Sequence, residues 1–357
     1  MNISDILLGA AIIIAAPAVN SGGEAKAAIN DGNEAKVQQI HPDQVVVDSP
    51  FVHDPVLAYE NGKYYLYSTG HGISQMTSAD RKHWTLCREG VLKNHEIPAW
   101  THDSVPGFHT HIWAPDVIRY RNKWYLAYSC STFGKNTSAI GLLSNSSLAN
   151  VNGWKDEGCI LASKGKRDNW NAIDPNFIVD EKGNPWMTWG SFWDGIQMIQ
   201  LDKKTMHVKK GAKPQTIARR HAFGDASAEP NPTSKFAGTN AIEAPFIMKH
   251  GGYYYLFVSW DYCCRGIKSN YRVAVGRSKK VAGPYLDKDG KDMCNGGGTL
   301  ILEGDKKEYE AMGHCSAYSF SDGDYFFCHG YSVPKNGASI LVQKKINWTE
   351  DGWLMLE

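Results

Sequence analysis

Three carboxylic acids stand close to prolines at related places in the sequence. Asp54 and Asp174 each come directly before a proline, and Glu243 comes two residues before one. A single Asp-Pro pair is an ordinary turn initiator. Together, however, three acids can supply what hydrolysis of a glycosidic bond requires. That reaction needs a protonated carboxyl to donate to the leaving oxygen and an ionised carboxylate to act on water or on carbon.

The side chains suggest different roles for the three acids. Glu243 has the longer reach and lies in a different local sequence, Glu-Ala-Pro, so we assign it as the general acid. Asp54 is assigned as the general base. Asp174 is assigned as the residue that raises the pKa of the acid, because crowded like charges favour the protonated form of a carboxyl.

The three acids lie at the start of their units in an internal sequence repeat. Each unit has a proline or small residue, an apolar run, a Gly/Asn turn and a second, aromatic run, whereas helical periodicity is nearly absent. The five units cover residues 54–68, 113–129, 174–190, 243–257 and 314–328. Such a repeat predicts an all-β fold, a five-bladed β-propeller of four-stranded blades that forms a single domain over residues 48–357. In a propeller the mouths of the innermost strands converge, which would gather the acids.

The N-terminal region predicts export. Residues 1–20 contain an apolar run followed by Ala16-Pro17-Ala18, as in a signal peptide, although no basic residue precedes the run and Asp5 does. Residues 21–47 are rich in small and polar residues and predict a flexible leader. We therefore expect a secreted or periplasmic protein with no membrane span. The sequence does not indicate an oligomeric state.

The amino-acid composition argues against nucleic acid as a partner and is compatible with carbohydrate. The net charge is +1, from 38 basic and 37 acidic residues without an extended basic run, so nucleic acid is not an expected partner. The 12 Trp and 17 Tyr suit stacking on sugar rings, although strand packing accounts for most of them.

The eight cysteines do not form a readable disulfide framework. Four lie in or beside apolar strands and are expected to be free thiols: Cys130, Cys159, Cys315 and Cys328. The adjacent Cys263 and Cys264 are not expected to bridge each other, since neighbouring residues rarely meet disulfide geometry.

From His53 to near its end, the chain resembles the family 43 glycoside hydrolases, and among them the arabinan endo-1,5-α-L-arabinosidases. The motifs that carry the resemblance are His53-Asp54-Pro55, Trp113-Ala114-Pro115-Asp116, Ser131-Thr132-Phe133-Gly134, Ser138-Ala139-Ile140-Gly141-Leu142, Asn171-Ala172-Ile173-Asp174-Pro175, Glu243-Ala244-Pro245, Cys263-Cys264-Arg265-Gly266 and Val275-Gly276-Arg277-Ser278. Their order over most of the chain makes the resemblance specific.

The resemblance implies an inverting enzyme that cleaves internal α-1,5-L-arabinofuranosyl linkages of arabinan or arabino-oligosaccharides. It implies the roles already given to the acids, and a cleft lined by Asp54, Asp174 and further residues: Gly134, Asn171, Ala172, Ile173, Ser191, Phe192 and Trp193. Trp113, which holds the mouth position of Glu243 in its own blade, and Phe133 are candidate stacking platforms. His314 is implied to stand beside a hydrated calcium ion, whose remaining ligands would mostly be water.

Other functions remain open from the sequence. An exo-acting α-L-arabinofuranosidase or β-xylosidase on the same fold would need a blocked cleft, and residues 216–240 could form the wall. A fructan-acting enzyme would be retaining, with its carboxyls about 5 Å apart. A non-catalytic carbohydrate-binding propeller would use the same aromatic residues without needing three converging acids.

Overall fold

The computed structural model describes residues 46–225 and 237–357. Regular structure there is almost entirely antiparallel strand, with one α-helix, α1 (Trp100–Ser104). Short 3₁₀ turns occur at Lys93–His95, Val151–Gly153, Gly266–Lys268 and Met293–Asn295. In this part of the chain no helix has the length and apolar character needed to cross a lipid bilayer. The predicted signal peptide, and the predicted leader up to residue 45, lie outside the described residues.

The strands form five antiparallel sheets that follow one another along the chain, which confirms the predicted five-bladed β-propeller. The first blade contains β1 (Val46–Val47), β2 (Val56–Glu60), β3 (Lys63–Ser68), β5 (Ser74–Ser78) and β6 (Trp84–Cys87). The second contains β4 (Gly70–His71), β7 (His111–Tyr120), β8 (Lys123–Cys130), β9 (Ser138–Asn145) and β10 (Lys155–Ser163).

The other three blades have four strands each among the described residues. The third contains β11 (Asn176–Val179), β12 (Pro185–Trp189), β13 (Ile196–Gln200) and β14 (Gln215–Ala218). The fourth contains β15 (Ile242–His250), β16 (Tyr253–Trp260), β17 (Arg272–Ser278) and β18 (Thr299–Leu302). The fifth contains β19 (Tyr309–Phe320), β20 (Gly323–Ser332), β21 (Ala338–Trp348) and β22 (Leu354–Leu356).

Two details differ from the expectation. Val46–Val47, assigned from sequence to the flexible leader, pairs with Trp84 and Thr85 as the outermost strand of the first blade. The domain therefore begins before residue 48. The two β-branched valines pair with the outer edge of β6, as suits residues of high β-propensity. In addition, β4 pairs with the inner strand β7, so the first two blades have five strands rather than four.

Apolar clusters fill the spaces between neighbouring blades. Leu126 and Tyr67 lie in the cluster between the first two blades, and Phe257 and Phe326 lie in the one between the last two. Each of these side chains is almost fully buried. Burial of such a side chain is worth about 1.5–3 kcal/mol, so the stacking of blades, more than any single blade, supplies the core.

Buried polar side chains also link successive blades. The carboxylate of Glu60 in the first blade accepts hydrogen bonds from Trp124 Nε1 at 2.7 Å and from the backbone N–H of Leu148 at 2.8 Å, both in the second blade. Asp116 likewise reaches forward, since its Oδ2 atom accepts from the backbone N–H of Phe177 at 2.7 Å. Burial raises the pKa of Asp116 to about 7, although the hydrogen bonds from the third blade oppose the shift.

The ring is closed by a short segment before β2. Residues 50–52 run beside β21 of the fifth blade, where Val52 N–H donates to Ser339 O at 3.2 Å and Leu341 N–H donates to Pro50 O at 3.0 Å. We call residues 50–52 the clasp. The clasp ties the beginning of the first blade to the fifth, so the two ends of the described domain support each other.

Candidate active site

Five residues at the mouths of the inner strands share an unusual backbone conformation. The left-handed φ angles are 57° at Asp54, 43° at Ala114, 58° at Asp174, 53° at Ala244 and 50° at His314. Such values are uncommon for residues other than glycine, and each costs on the order of 1–3 kcal/mol. One such residue occurs at the mouth of each of the five blades. We call these five residues the mouth ring.

A side chain of the preceding blade holds each member of the mouth ring. In every case it accepts a hydrogen bond from the backbone N–H of the ring residue. The pairs are Asp54 with His329 Nδ1 (3.1 Å), Ala114 with Thr69 Oγ1 (2.8 Å), Asp174 with Ser129 Oγ (3.0 Å), Ala244 with Asp174 Oδ2 (3.1 Å) and His314 with Ser259 Oγ (2.8 Å). Because a buried N–H without a partner is costly, these contacts stabilise the left-handed turns.

The third blade departs from this pattern, and the departure places Asp174. By strand register, its position equivalent to Ser129 and Ser259 is Gly190, which has no side chain to accept the next N–H. A Cβ atom at Gly190 would lie 2.5 Å from Gly195 O. The carboxylate of Asp174 accepts the Ala244 N–H instead. Asp174, the predicted pKa modulator, is therefore hydrogen-bonded to Ala244, which directly follows the predicted acid Glu243.

Asp54 is surrounded by donors. His53 Nδ1 lies 2.8 Å and His314 Nδ1 lies 2.9 Å from its Oδ1 atom, and the Thr69 hydroxyl donates to its Oδ2 atom. Burial alone raises the pKa of Asp54, but the charge of His314 and the hydrogen bonds from His314 and His53 outweigh it and hold this pKa well below its usual value. Three donors occupy three of the about four acceptor sites of a carboxylate. By this count an ionised Asp54 can accept one further hydrogen bond.

Glu243 has a different environment. Its two oxygens accept from Ser191 Oγ at 2.6 Å and from Tyr271 Oη at 2.7 Å, and both partners are uncharged hydroxyls. Burial raises the pKa of Glu243; these hydrogen bonds and His314 oppose the shift, and the charge of Asp54 adds to it. The chemistry available here is that of a proton donor.

Asp174 also holds its proton to higher pH than an isolated carboxyl. Its pKa is raised by burial, against the opposing attraction of His314, and the charges of Glu243 and Asp54 raise it further. The structure therefore brings the three predicted acids and His314 into one buried electrostatic system.

His314, the predicted calcium neighbour, contacts Asp54 directly. Burial lowers its pKa, but Asp54, Asp174 and Glu243 together raise it to about 9. A protonated imidazole is a poor metal ligand, and calcium prefers oxygen. Among the described residues, the one group of three close enough to hold an ion is His53, Asp54 and His329, and hydrogen bonds already engage the Nδ1 atoms of both histidines. The residues present do not fit calcium by themselves, and calcium at His314 stays a prediction.

The predicted cleft residues divide into two groups. The side chains of Asn171 and Ser191 are buried and engaged within the protein, with Asn171 Oδ1 accepting from Ser138 Oγ at 2.6 Å. Ala172 and Ile173 are also buried. Surface for a ligand remains on Trp113, Phe133, Phe192 and Trp193, which are half-buried or exposed, and Gly134 adopts a left-handed turn beside Phe133.

Trp113 is held in place by a histidine that the sequence did not single out as its partner. Its Nε1 atom donates to His111 Nδ1 at 3.1 Å. Tyr271, Thr69 and His53 were not predicted as site residues either. They reach Glu243 and Asp54 from positions where one sequence offers no distinguishing pattern.

The cysteines give one confirmation and one correction. Cys130, Cys159, Cys315 and Cys328 are free thiols, as expected. Cys263 and Cys264 are joined in a disulfide, so the expectation that they would not bridge is wrong. The left-handed backbone of Cys264, with φ of 63°, turns the chain so that adjacent sulfurs can meet.

A buried set of carboxyls with opposite pKa shifts, at the mouth of a five-bladed β-propeller, fits what a glycosidase requires. Comparison with known proteins agrees, since the family model described as Glycosyl hydrolases family 43 matches residues 44–354. The chain belongs to that family.

Several relatives carry related names. The chain is 41% identical over 305 residues to an extracellular exo-alpha-(1->5)-L-arabinofuranosidase of Cellvibrio japonicus, covering 85% of each chain. It is 39% identical to an extracellular endo-alpha-(1->5)-L-arabinanase of Bacillus subtilis, covering 85% of this chain and 86% of the relative. Among solved structures, an exo-1,5-alpha-L-arabinanase from a bovine ruminal metagenomic library is 53% identical with a TM-score of 0.79, covering 87% of this chain and 98% of its own. A Cellvibrio cellulosa alpha-L-arabinanase complexed with arabinohexaose is 39% identical with the same TM-score, covering 87% and 96%.

The charge of His314 predicts a pH dependence of stability. Folding raises its pKa from 6.5 to about 9, so the folded state keeps a proton that the unfolded chain has released. The resulting stability is fully present below pH 6.5 and is lost as the pH rises through about 9. We expect His314→Gln to remove up to about 3 kcal/mol of this dependence, measured by urea unfolding across that range. The exposed His102→Gln is the matched control, and equal pH profiles for wild type and His314→Gln would contradict the prediction.

Proposed function

We propose that the enzyme hydrolyses α-1,5-L-arabinofuranosyl linkages of arabinan with inversion at the anomeric carbon. The observation that carries the proposal is the opposite pKa shift of Asp54 and Glu243 within one buried site. The relatives at 53%, 41% and 39% identity are named an exo-1,5-alpha-L-arabinanase, an exo-alpha-(1->5)-L-arabinofuranosidase and an endo-alpha-(1->5)-L-arabinanase. One of the similar structures is titled as a complex with arabinohexaose.

In the proposed reaction Asp54 accepts a proton from water while the water oxygen attacks the anomeric carbon. Glu243 gives its proton to the departing glycosidic oxygen as that bond breaks. One water is consumed, and proton exchange with solvent restores both carboxyls. His314 and His53 keep Asp54 ionised, and Asp174 keeps the backbone beside Glu243 in place through Ala244 N–H.

The cleft residues have a supporting role in this proposal. Trp113, Phe133, Phe192 and Trp193 offer aromatic faces for the apolar faces of arabinofuranosyl rings. Gly134 and the buried segment from Asn171 to Ile173 shape the cleft from behind these faces. We also propose secretion, because two relatives are named extracellular. Recovery of the chain only from the cell fraction, with residues 1–20 still attached, would contradict it.

Removing either catalytic carboxylate should abolish turnover without abolishing binding. We expect Asp54→Asn and Glu243→Gln each to lower kcat on linear arabinan by about 10²–10⁴-fold. Reducing-end release measures turnover, and calorimetry with arabino-oligosaccharides measures binding. NMR of fresh wild-type product should show the inverted anomer.

The exposed Glu89→Gln serves as a matched control and should match wild type. Full activity in either catalytic variant would refute the assignment. A wild type that binds oligosaccharides without cleaving them would instead indicate a carbohydrate-binding propeller. A retained anomeric configuration would favour the double-displacement chemistry of the fructan-type alternative.

The position of attack along the polymer has two candidates. The endo action predicted from sequence is supported by the Bacillus subtilis relative. Exo action is favoured by the exo-named relatives at 53% and 41% identity. The proposed wall at residues 216–240 begins as part of β14, and residues 226–236 lie outside the described part of the chain.

A product time course separates the two candidates. Endo action should give mixed oligomers from linear arabinan at early times, together with a rapid fall in viscosity. Exo action should release one short product from the start while the polymer length falls slowly. Chromatographic sizing of products reads out both, and activity on an aryl β-xyloside alone would instead support the β-xylosidase alternative.

Calcium near His314 is kept as a proposal that can be tested directly. If the ion binds there, calorimetry should detect calcium uptake by chelator-treated wild type, and calcium should raise its melting temperature. His314→Gln should lose both effects. Absence of calcium binding by chelator-treated wild type would show that the charge of His314, rather than a metal, serves Asp54.

A further inference from the structure

The disulfide between Cys263 and Cys264 lies beside His53, the residue that precedes the predicted base. The backbone N–H of Cys264 donates to the hydroxyl of Tyr331 at 2.7 Å, and Cys264 Sγ lies 3.8 Å from His53 Nε2. The same hydroxyl lies 2.8 Å from His53 Nε2. His53 in turn contacts Asp54 through its other ring nitrogen, 2.8 Å from Oδ1. A continuous chain of contacts therefore joins the disulfide to Asp54.

Two backbone amides fix the direction of every hydrogen bond in this chain, because an amide N–H can only donate. Asp54 N–H donates to His329 Nδ1, so His329 carries its proton on Nε2, which lies 3.2 Å from the Tyr331 hydroxyl. The Tyr331 oxygen thus accepts from His329 and from Cys264 N–H. Its own proton can then be donated to His53 Nε2, 2.8 Å away.

The consequence for His53 is a single tautomer. Since its Nε2 atom accepts from Tyr331, its proton must be on Nδ1, where it donates to Asp54 Oδ1. The ring is also stacked on His329 at 3.9 Å between centroids. Among the three rings of this chain, His53 is the partly exposed one, with 25% of its side chain accessible, so it is the ring that most needs a fixed orientation.

We propose that Tyr331 and the Cys263–Cys264 disulfide are positioning elements for the base Asp54, acting through the tautomer and orientation of His53. The inference rests on the proposed function, in which Asp54 activates water. The left-handed turn of Cys264 aims its N–H at Tyr331, and the disulfide holds that turn. Without the Tyr331 hydroxyl, His53 loses the donor to Nε2, and its ring can turn away from the orientation that aims Nδ1–H at Asp54. A turned ring removes one hydrogen bond from the Asp54 carboxylate, which then shifts from its position.

The test compares two tyrosines that make the same kind of contact. Tyr331 accepts a backbone N–H from Cys264 at 2.7 Å, and Tyr318 accepts one from Leu57 at 2.8 Å, away from the base. We expect Tyr331→Phe to lower kcat on linear arabinan by about ten-fold, with KM changed less than about two-fold, since a displaced base slows the reacting step. Tyr318→Phe should lower the melting temperature and leave kcat near the wild-type value. A Tyr331→Phe kcat within two-fold of wild type, or equal losses in both variants, would overturn the proposal.

Reduction of the disulfide is a second test of the proposal, and it does not depend on whether a tyrosine variant folds. The other six cysteines are free thiols, so a reductant acts on this pair alone. Reduced wild type and the Cys263→Ala/Cys264→Ala variant should show the same several-fold loss of kcat, and reductant should not affect the double variant. Reduced wild type with full kcat would remove the disulfide from the proposal.

A third readout does not require activity. Long-range ¹H–¹⁵N correlations in ¹⁵N-histidine-labelled protein should show His53 protonated on Nδ1 in wild type and on both nitrogens in exchange in Tyr331→Phe. An Nε2 proton on His53 in wild type would contradict the inference. Wild type that lacks activity on arabinan, but shows the Nδ1 tautomer, would instead refute the proposed function while leaving the hydrogen-bond chain intact.

Discussion

The geometry of the mouth depends on the capture of one backbone N–H per blade by the blade before it. Asp54, Asp174 and His314 stand in left-handed turns that their own blades would not favour, and a neighbour's side chain stabilises each turn. The contact that assembles the ring is therefore the same contact that aims the functional side chains. Packing of blades and preparation of the site cannot be separated in this molecule.

Unequal sets of hydrogen-bond donors shift the pKa values of Asp54 and Glu243 in opposite directions. Asp54 receives two imidazoles and a hydroxyl, whereas Glu243 receives only hydroxyls. A buried carboxylate is stable when cationic or charge-assisted donors surround it. The cationic His314 supplies that stabilisation to Asp54 by direct contact, and Asp54 in turn contributes most to keeping His314 charged.

Much of this organisation was predictable from sequence because it repeats. The proline-led and aromatic runs recur five times, so both the propeller and the convergence of Asp54, Asp174, Glu243 and His314 followed from one pattern. The partners of these residues did not follow. Tyr271 reaches Glu243 from another part of the same blade, and Tyr331 reaches His53 from the fifth blade, so these contacts depend on strand register and ring closure rather than on local spacing. The Cys263–Cys264 bond depends on a single φ angle, and Val46–Val47 depends on a vacant sheet edge.

The clasp has a consequence for how the enzyme fails under stress. Val52, the last residue of the clasp, stands two positions before Asp54, so the pairing between the first and fifth blades is continuous with the proposed base. If the pairing between the clasp and β21 opens, Asp54 is displaced while the strands within each blade remain paired. Loss of turnover on heating would then precede loss of β-sheet signal. The time for which the enzyme stays active on heating would depend on the clasp and not on unfolding of the core.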